Sequence, residues 1–225
     1  MSHKQSIEYL VHILRDAGDA EISKGMAAYM KNHFVFFGVK KPEREALTKS
    51  WIQERKKLPY ADLEEIVLLL WDQPQREMQY IAIELMKASK IFRQEDSLTL
   101  LEKVITSKSW WDTVDLIASG MVGGYFLQFP ERKTEVALEW CNGKDLWLQR
   151  TSIIFQLTYR SRTDEDLLMS TILTHLESRE FFLRKAMGWA LRQYARTNPD
   201  FVIQFVNAHS FSGLTVREAL KHLNK

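Results

Sequence analysis

The chain has 225 residues, of which 45% are apolar and 27% charged, with a net charge of +2. That balance belongs to an ordinary globular protein and excludes extended disorder. The longest apolar run, residues 66–71, is too short to span a bilayer, the opening MSHKQSIEYL carries no signal-peptide core, and a lone Cys141 excludes an internal disulfide. The expectation is a cytoplasmic protein in a reducing setting, with no membrane partner.

Helical periodicity runs through the whole chain, and no stretch alternates as a bounded strand. The first expected helix covers 5–17 and stops at Gly18, and Asp19 caps a second over 21–33 that ends before Gly38. The stretch into the third helix (43–57) carries Lys31, His33, Lys40, Lys41 and Arg44, which read equally as a DNA-backbone contact or a solvated loop. Arg55, Lys56 and Lys57 read as a solvated helix end. Pro59 and Pro74 bracket a helix over 61–72, and helices over 75–89, 94–107, 109–119 and 121–128 follow, up to Pro130. Beyond it come helices over 131–141 (ended by Gly143), 145–160, 163–178 (capped by Thr163), 180–196, 199–208 behind Asn198-Pro199, and 213–223. No linker divides the chain, so a single domain over 1–225 is expected.

A weak repeat underlies these helices. Small residues at Ala82, Ala118, Ser152, Ala186 and Ala219 recur at intervals of 36, 34, 34 and 33. A period near 35 with two helices per unit indicates an all-α fold, an α-solenoid in which small residues let neighbouring helices approach. The alternative is an irregular bundle with chance alanine spacing.

Spacing also groups polar and aromatic residues. Trp111 and Asp115 are four apart and share a helix face, with Lys108 one turn earlier on that stripe. Lys185, Trp189, Arg192 and Arg196 form a second stripe, basic with one embedded tryptophan. Arg150 opens a helix whose apolar positions Ile153, Ile154 and Leu157 take the core, which turns Arg150 toward solvent or ligand. Trp51, Trp71, Trp110, Trp140 and Trp147 read as core, and Cys141 as a small buried residue. The six His residues lack metal-ligand spacing, and Gly123-Gly124 lacks the strand and Lys of a phosphate loop.

Four segments carry a specific likeness: MAAYMKNHFVFFGVKKPER (26–44), KSWWDTVD (108–115), LWLQRTSIIFQL (146–157) and FFLRKAMGWALRQYARTNPD (181–200). Together they resemble the AlkD-like DNA alkylation-repair glycosylases, over nearly the whole chain. The resemblance implies a superhelix of HEAT-like repeats with a concave basic face, and excision of cationic N-alkylated purines, chiefly 3-methyladenine and 7-methylguanine. It implies no metal or organic cofactor, and a partner of double-stranded DNA carrying the lesion. A monomer, nucleoid-associated through DNA, is the matching expectation. The family's functional positions fall on Tyr29, Trp111, Asp115, Arg150 and Trp189, and none is replaced.

The implied chemistry suits these side chains. An N3- or N7-alkylpurine is already cationic, so breaking its glycosidic bond releases a neutral base and moves the charge onto the sugar. A carboxylate beside C1′ stabilises that charge and orients water, the role expected of Asp115. Aromatic faces favour nearby positive charge, the role expected of Trp111 and Trp189. Tyr29, Arg150, Lys108, Lys185 and Arg192 are the expected DNA contacts, with Arg150 on a phosphate. No strong general acid is needed, no second carboxylate pairs visibly with Asp115, and no Lys nucleophile for lyase chemistry stands out. The rival reading is a non-catalytic HEAT-like scaffold that binds DNA or protein.

Overall fold

The computed structural model describes residues 2–223. Among them the regular elements are helical: α1 (His3–Asp16), α2 (Ala20–Tyr29), α3 (Lys41–Arg55), α4 (Tyr60–Asp72), α5 (Arg76–Ser89), α6 (Ser97–Thr106), α7 (Trp111–Ile117), α8 (Gly123–Gln128), α9 (Pro130–Asn142), α10 (Leu146–Ile154), α11 (Glu165–Thr174), α12 (Phe181–Tyr194), α13 (Pro199–Ala208) and α14 (Gly213–Ala219). Short 3₁₀ turns lie at Ile91–Arg93 and Arg160–Arg162, and a π-helical turn at Ala118–Val122 joins α7 to α8. None of these helices is long and apolar enough to cross a membrane.

Side-chain caps start several helices as local chemistry dictates. Ser2 and Gln5 form a reciprocal capping box at α1, and the Asp19 carboxylate accepts from the amides of Glu21 (2.8 Å) and Ile22 (2.9 Å) at α2. Asn198 accepts from the Phe201 amide and precedes Pro199 at the first position of α13. At α11 the cap is Asp164, which accepts from Leu167, and not Thr163 one residue earlier. The carboxylate does better there because it also takes Lys133 as an ion partner at 2.5 Å.

The chain clusters into two compact units, Met1–Gln94 and Glu95–Lys225. In the first, α1 packs on α3 and α4, and α5 packs on α3 and α4. The loop after α2 is held by a buried acid: Glu77 of α5 accepts from the backbone amides of Phe37, Gly38 and Val39 at 3.1, 2.9 and 3.2 Å. Gly38 has φ +91°, and a side chain there would strike the Asp19 carbonyl at 2.0 Å, so only glycine fits.

The second unit is built of paired helices in two layers. The layer containing the second helix of each pair is continuous: α10 packs on α7 and on the π-helical turn, α12 on α10, and α14 on α12. In the other layer α9 packs on α11. This is the arrangement a repeat of helix pairs produces. The five small residues of the sequence repeat behave alike: Ala82, Ala118, Ser152, Ala186 and Ala219 are each at most 1% exposed.

Several boundaries differ from the sequence reading: α2 ends at Tyr29 and not 33, α11 at Thr174 and not 178, α14 at Ala219 and not 223, and two further differences change the path of the chain. Residues 109–119 and 121–128 form one path through the π-helical turn, without a break at Gly120. Helix α10 ends at Ile154 and not at 160, because the chain turns under α8. There Tyr159 donates to the Gly123 carbonyl at 2.7 Å, and the Phe155 carbonyl lies 2.5 Å from where a Cβ on Gly123 would stand.

Candidate active site

The centre of the second unit holds a charge pair. Arg150 donates from Nε to Asp115 Oδ1 at 2.7 Å and from Nη2 to Oδ2 at 2.9 Å. Its third nitrogen, Nη1, donates to the Phe182 carbonyl. One guanidinium thus ties α7, α10 and α12 together. The fork matches the carboxylate plane and leaves each oxygen a further lone pair.

Burial sets the electrostatics. The Arg150 side chain is 5% exposed and that of Asp115 15%. Desolvation pushes the Asp115 carboxyl above the usual carboxylate range; the Arg150 hydrogen bonds and charge oppose this, and Asp112, one turn earlier, adds to it. Asp112 thus contributes only a minor charge effect. Asp112 is itself buried, in the first turn of α7.

An aromatic cluster reaches the arginine through Phe182. Trp110, Trp147 and Phe182 pack on one another with centroid separations of 5.8, 5.2 and 4.9 Å, and the Arg150 guanidinium lies 5.9 Å from the Phe182 ring. Trp51, Trp71 and Trp140 are core residues as expected, but Trp110 and Trp147 are only half-buried and belong to this cluster. Cys141 is buried against Thr171 and His175, the small buried residue expected, and burial raises its thiol pKa.

The remaining expected site residues fall as follows. Trp111 opens α7, half-buried, one turn before Asp115. Trp189 of α12 is half-buried and packs against the core cluster around Ala186, Met187 and Leu191. Lys185 and Arg192 flank it, and both are engaged by Glu218 of α14 at 2.8 Å. Tyr29 ends α2 in the first unit and is 68% exposed.

Three placements correct the sequence reading. Arg150 does not face solvent for a phosphate; it is buried and spent on Asp115 and Phe182. Lys108 is exposed but stands outside α7, in left-handed backbone (φ 48°), so it shares no helical stripe with Asp115. Arg44 is 4% exposed, pairs with Glu84 at 2.7 Å and stacks on Tyr80, so it is not free for a DNA backbone. Sequence reasoning missed Phe182, whose carbonyl and ring serve the pair, and Glu218. The paired Phe that opens the matched segment 181–200 was the available signal for the first; nothing local pointed to the second.

Residues 10–223 match the model of a family described as DNA alkylation repair enzyme. The chain belongs to that family. Among solved structures it is similar to a predicted DNA alkylation repair enzyme from Enterococcus faecalis, at 31% identity and a TM-score of 0.87, covering 92% of this chain and 97% of that one. It also shares its fold with smu.31 from Streptococcus mutans UA159, at 14% identity and a TM-score of 0.66, over 98% and 99% of the two chains. A comparison with curated proteins finds no match. Family membership makes DNA the substrate, and gives the Asp115–Arg150 pair a chemical context.

Proposed function

We propose that this protein is a monofunctional DNA glycosylase that hydrolyses the N-glycosidic bond of cationic N3- and N7-alkylated purines, such as 3-methyladenine and 7-methylguanine, in duplex DNA. One observation carries the reading: Asp115 is a largely desolvated carboxylate held on both oxygens by a buried arginine within a family of DNA repair enzymes. Such an acid is oriented in advance and resists solvent screening, as stabilisation of a transient cation requires.

The leaving base is cationic, so cleavage transfers positive charge to the deoxyribose and needs no proton donor. Asp115 faces that developing charge and accepts a hydrogen bond from the attacking water with its remaining lone pairs. The half-buried rings of Trp111 and Trp189 favour the same charge through their faces. Arg150 is a positioning residue: it keeps Asp115 ionised against desolvation and fixes its plane. Tyr29, Lys108, Lys185 and Arg192 are the proposed contacts to the duplex, mainly to phosphate. Neutral lesions such as uracil are poor substrates, because nothing in the site activates a neutral leaving group.

The test is to incubate the protein with methylated duplex DNA and identify the released bases. Release of 3-methyladenine and 7-methylguanine by the wild type, lost in Asp115→Asn, supports the reading. If no base is released, the Asp115–Arg150 pair is a helix-to-helix bolt and the protein is a binding scaffold.

A further inference from the structure

Sequence reading gives α12 a bare basic stripe; in the structure that stripe is already occupied. Lys185, Gly188, Trp189 and Arg192 fall at positions i, i+3, i+4 and i+7 of α12 and share one face. Across this face lies α14, and Glu218 reaches down from it. Its Oε1 meets Lys185 Nζ at 2.8 Å, and its Oε2 meets Arg192 Nη1 at 2.8 Å. One carboxylate bridges two cations on either side of Trp189.

The approach is built into the packing. A Cβ on Gly188 would stand 2.5 Å from the Glu218 Cβ and 2.9 Å from the Thr215 carbonyl, so only glycine lets α14 come this close. Thr215 locks the contact by donating its hydroxyl to the Arg184 carbonyl at 3.3 Å. The side chains keep partial access to solvent: Lys185 is 36% exposed, Arg192 20% and Glu218 18%. Glu218 is held below the usual carboxylate range, first by the Lys185 hydrogen bond, against a smaller opposing effect of burial, and then by the charges of Lys185, Arg192 and Lys221. It is therefore an anion at neutral pH.

We propose that Glu218 is an internal competitor for backbone phosphate, which sets how tightly the α12 face holds undamaged duplex DNA. The inference rests on the reading that this face meets DNA. Both cations are the groups a phosphate would seek, and an approaching phosphate must displace Glu218 or bind beside its charge. Either route costs affinity equally at every sequence, because the phosphate is common to all. The competing anion restrains nonspecific residence while the aromatic and carboxylate contacts to a lesion are untouched.

The experiment measures binding of unmodified duplex against salt for the wild type, Glu218→Gln and the double variant Lys185→Gln/Glu218→Gln, with base release from methylated duplex followed in parallel. Glu218→Gln is expected to bind on the order of tenfold tighter at low salt, with a log–log salt slope steeper by about one, the increment for one more neutralised phosphate. The double variant, with wild-type net charge, is expected to return the slope to near its original value. Glu218→Met, uncharged and of similar length, serves if melting shows that Gln disturbs the fold. Equal or weaker binding by a folded Glu218 variant overturns the proposal, because the acid then merely organises its neighbours. If the wild type excises alkylpurines but the slope does not move, the inference fails and the glycosylase reading stands. If the slope moves but no base is released, the competitor role stands on a DNA-binding scaffold. If no form binds duplex DNA, both fall.

Discussion

Both units of the molecule hold a buried arginine paired with a carboxylate, Arg44 with Glu84 and Arg150 with Asp115, and these two pairs differ in a way that exposure does not reveal. In the first unit Arg44 and Glu84 have side chains 5% and 22% exposed; in the second, Arg150 and Asp115 are 5% and 15% exposed. Arg44 gives Glu84 a single bond through Nη2, and Arg44 Nε and Glu84 Oε2 are buried without a hydrogen-bond partner. Arg150 gives Asp115 two bonds and spends its third nitrogen on a carbonyl of another helix. Leaving buried polar atoms unmade is costly, so the first pair is a compromise of packing, whereas the second is a fully engaged clamp. Both arginines also lie beside a ring, Arg44 at 4.8 Å from Tyr80 and Arg150 at 5.9 Å from Phe182, so the hydrogen bonding is what separates the two pairs.

The sharpest break between the two pairs comes from Asp115→Asn. It is expected to cut single-turnover base release on the order of 10² to 10³-fold, the scale for loss of a preorganised electrostatic group, with duplex binding largely kept. Next, Arg150→Ala leaves a mostly buried acid unpaired, and is expected to cost about 3 kcal/mol in denaturant melts as well as most excision. Arg44→Ala should also destabilise, yet excision per folded molecule should hold; a comparable loss there would erase the distinction. Trp189→Ala is smaller, slowing excision about tenfold, in keeping with a ring–cation attraction of roughly 1–2 kcal/mol, and weakening nonspecific binding less.

The mildest test is the pH profile. In the proposed reaction Asp115 acts as an anion, and burial raises its pKa, so excision should fall as pH drops through a midpoint above the usual carboxylate range. In Arg150→Gln the opposing hydrogen bonds and charge are gone, and the acid limb should move to higher pH. The stability contribution has the opposite sense. A raised folded-state pKa favours the native state below the unfolded value and loses that advantage as pH rises through the folded one. Melting of wild type and Asp115→Asn across that window measures the difference.

Helices were legible in the residues because they depend on neighbours in sequence: the Asp19 cap and the buried small residues at Ala82, Ala118, Ser152, Ala186 and Ala219 follow from local rules, whereas the cap of α11 falls on Asp164 and not on Thr163. Arg150 was misplaced because an amphipathic argument assumes a solvent face. Helix α10 is packed by α6, α7, α9, α11 and α12, and residues 150–157 are buried without interruption. Beyond its half-buried first turn the helix is enclosed, and from position 150 onward it has no outside to which a charge can point. The Lys185–Glu218–Arg192 bridge was invisible for another reason: the acid arrives from 26 residues beyond Arg192. Lys108 was assigned to a stripe because its spacing fits, but the left-handed turn at that residue ends the helical register before α7 begins.

The wide turn at Ala118–Val122 has a mechanical consequence. It takes up one residue more than ordinary winding would, so the α7 end and the α8 end of this path are offset by about 100° of rotation. Ser119 braces the junction through its bond to the Asp115 carbonyl at 2.8 Å. Shortening the chain by one residue within 118–122 would rewind that bearing. With Tyr125 and Phe126 still anchored, the recoil would swing Asp115 away from the guanidinium, leaving a folded protein with its acid aimed at the wrong wall.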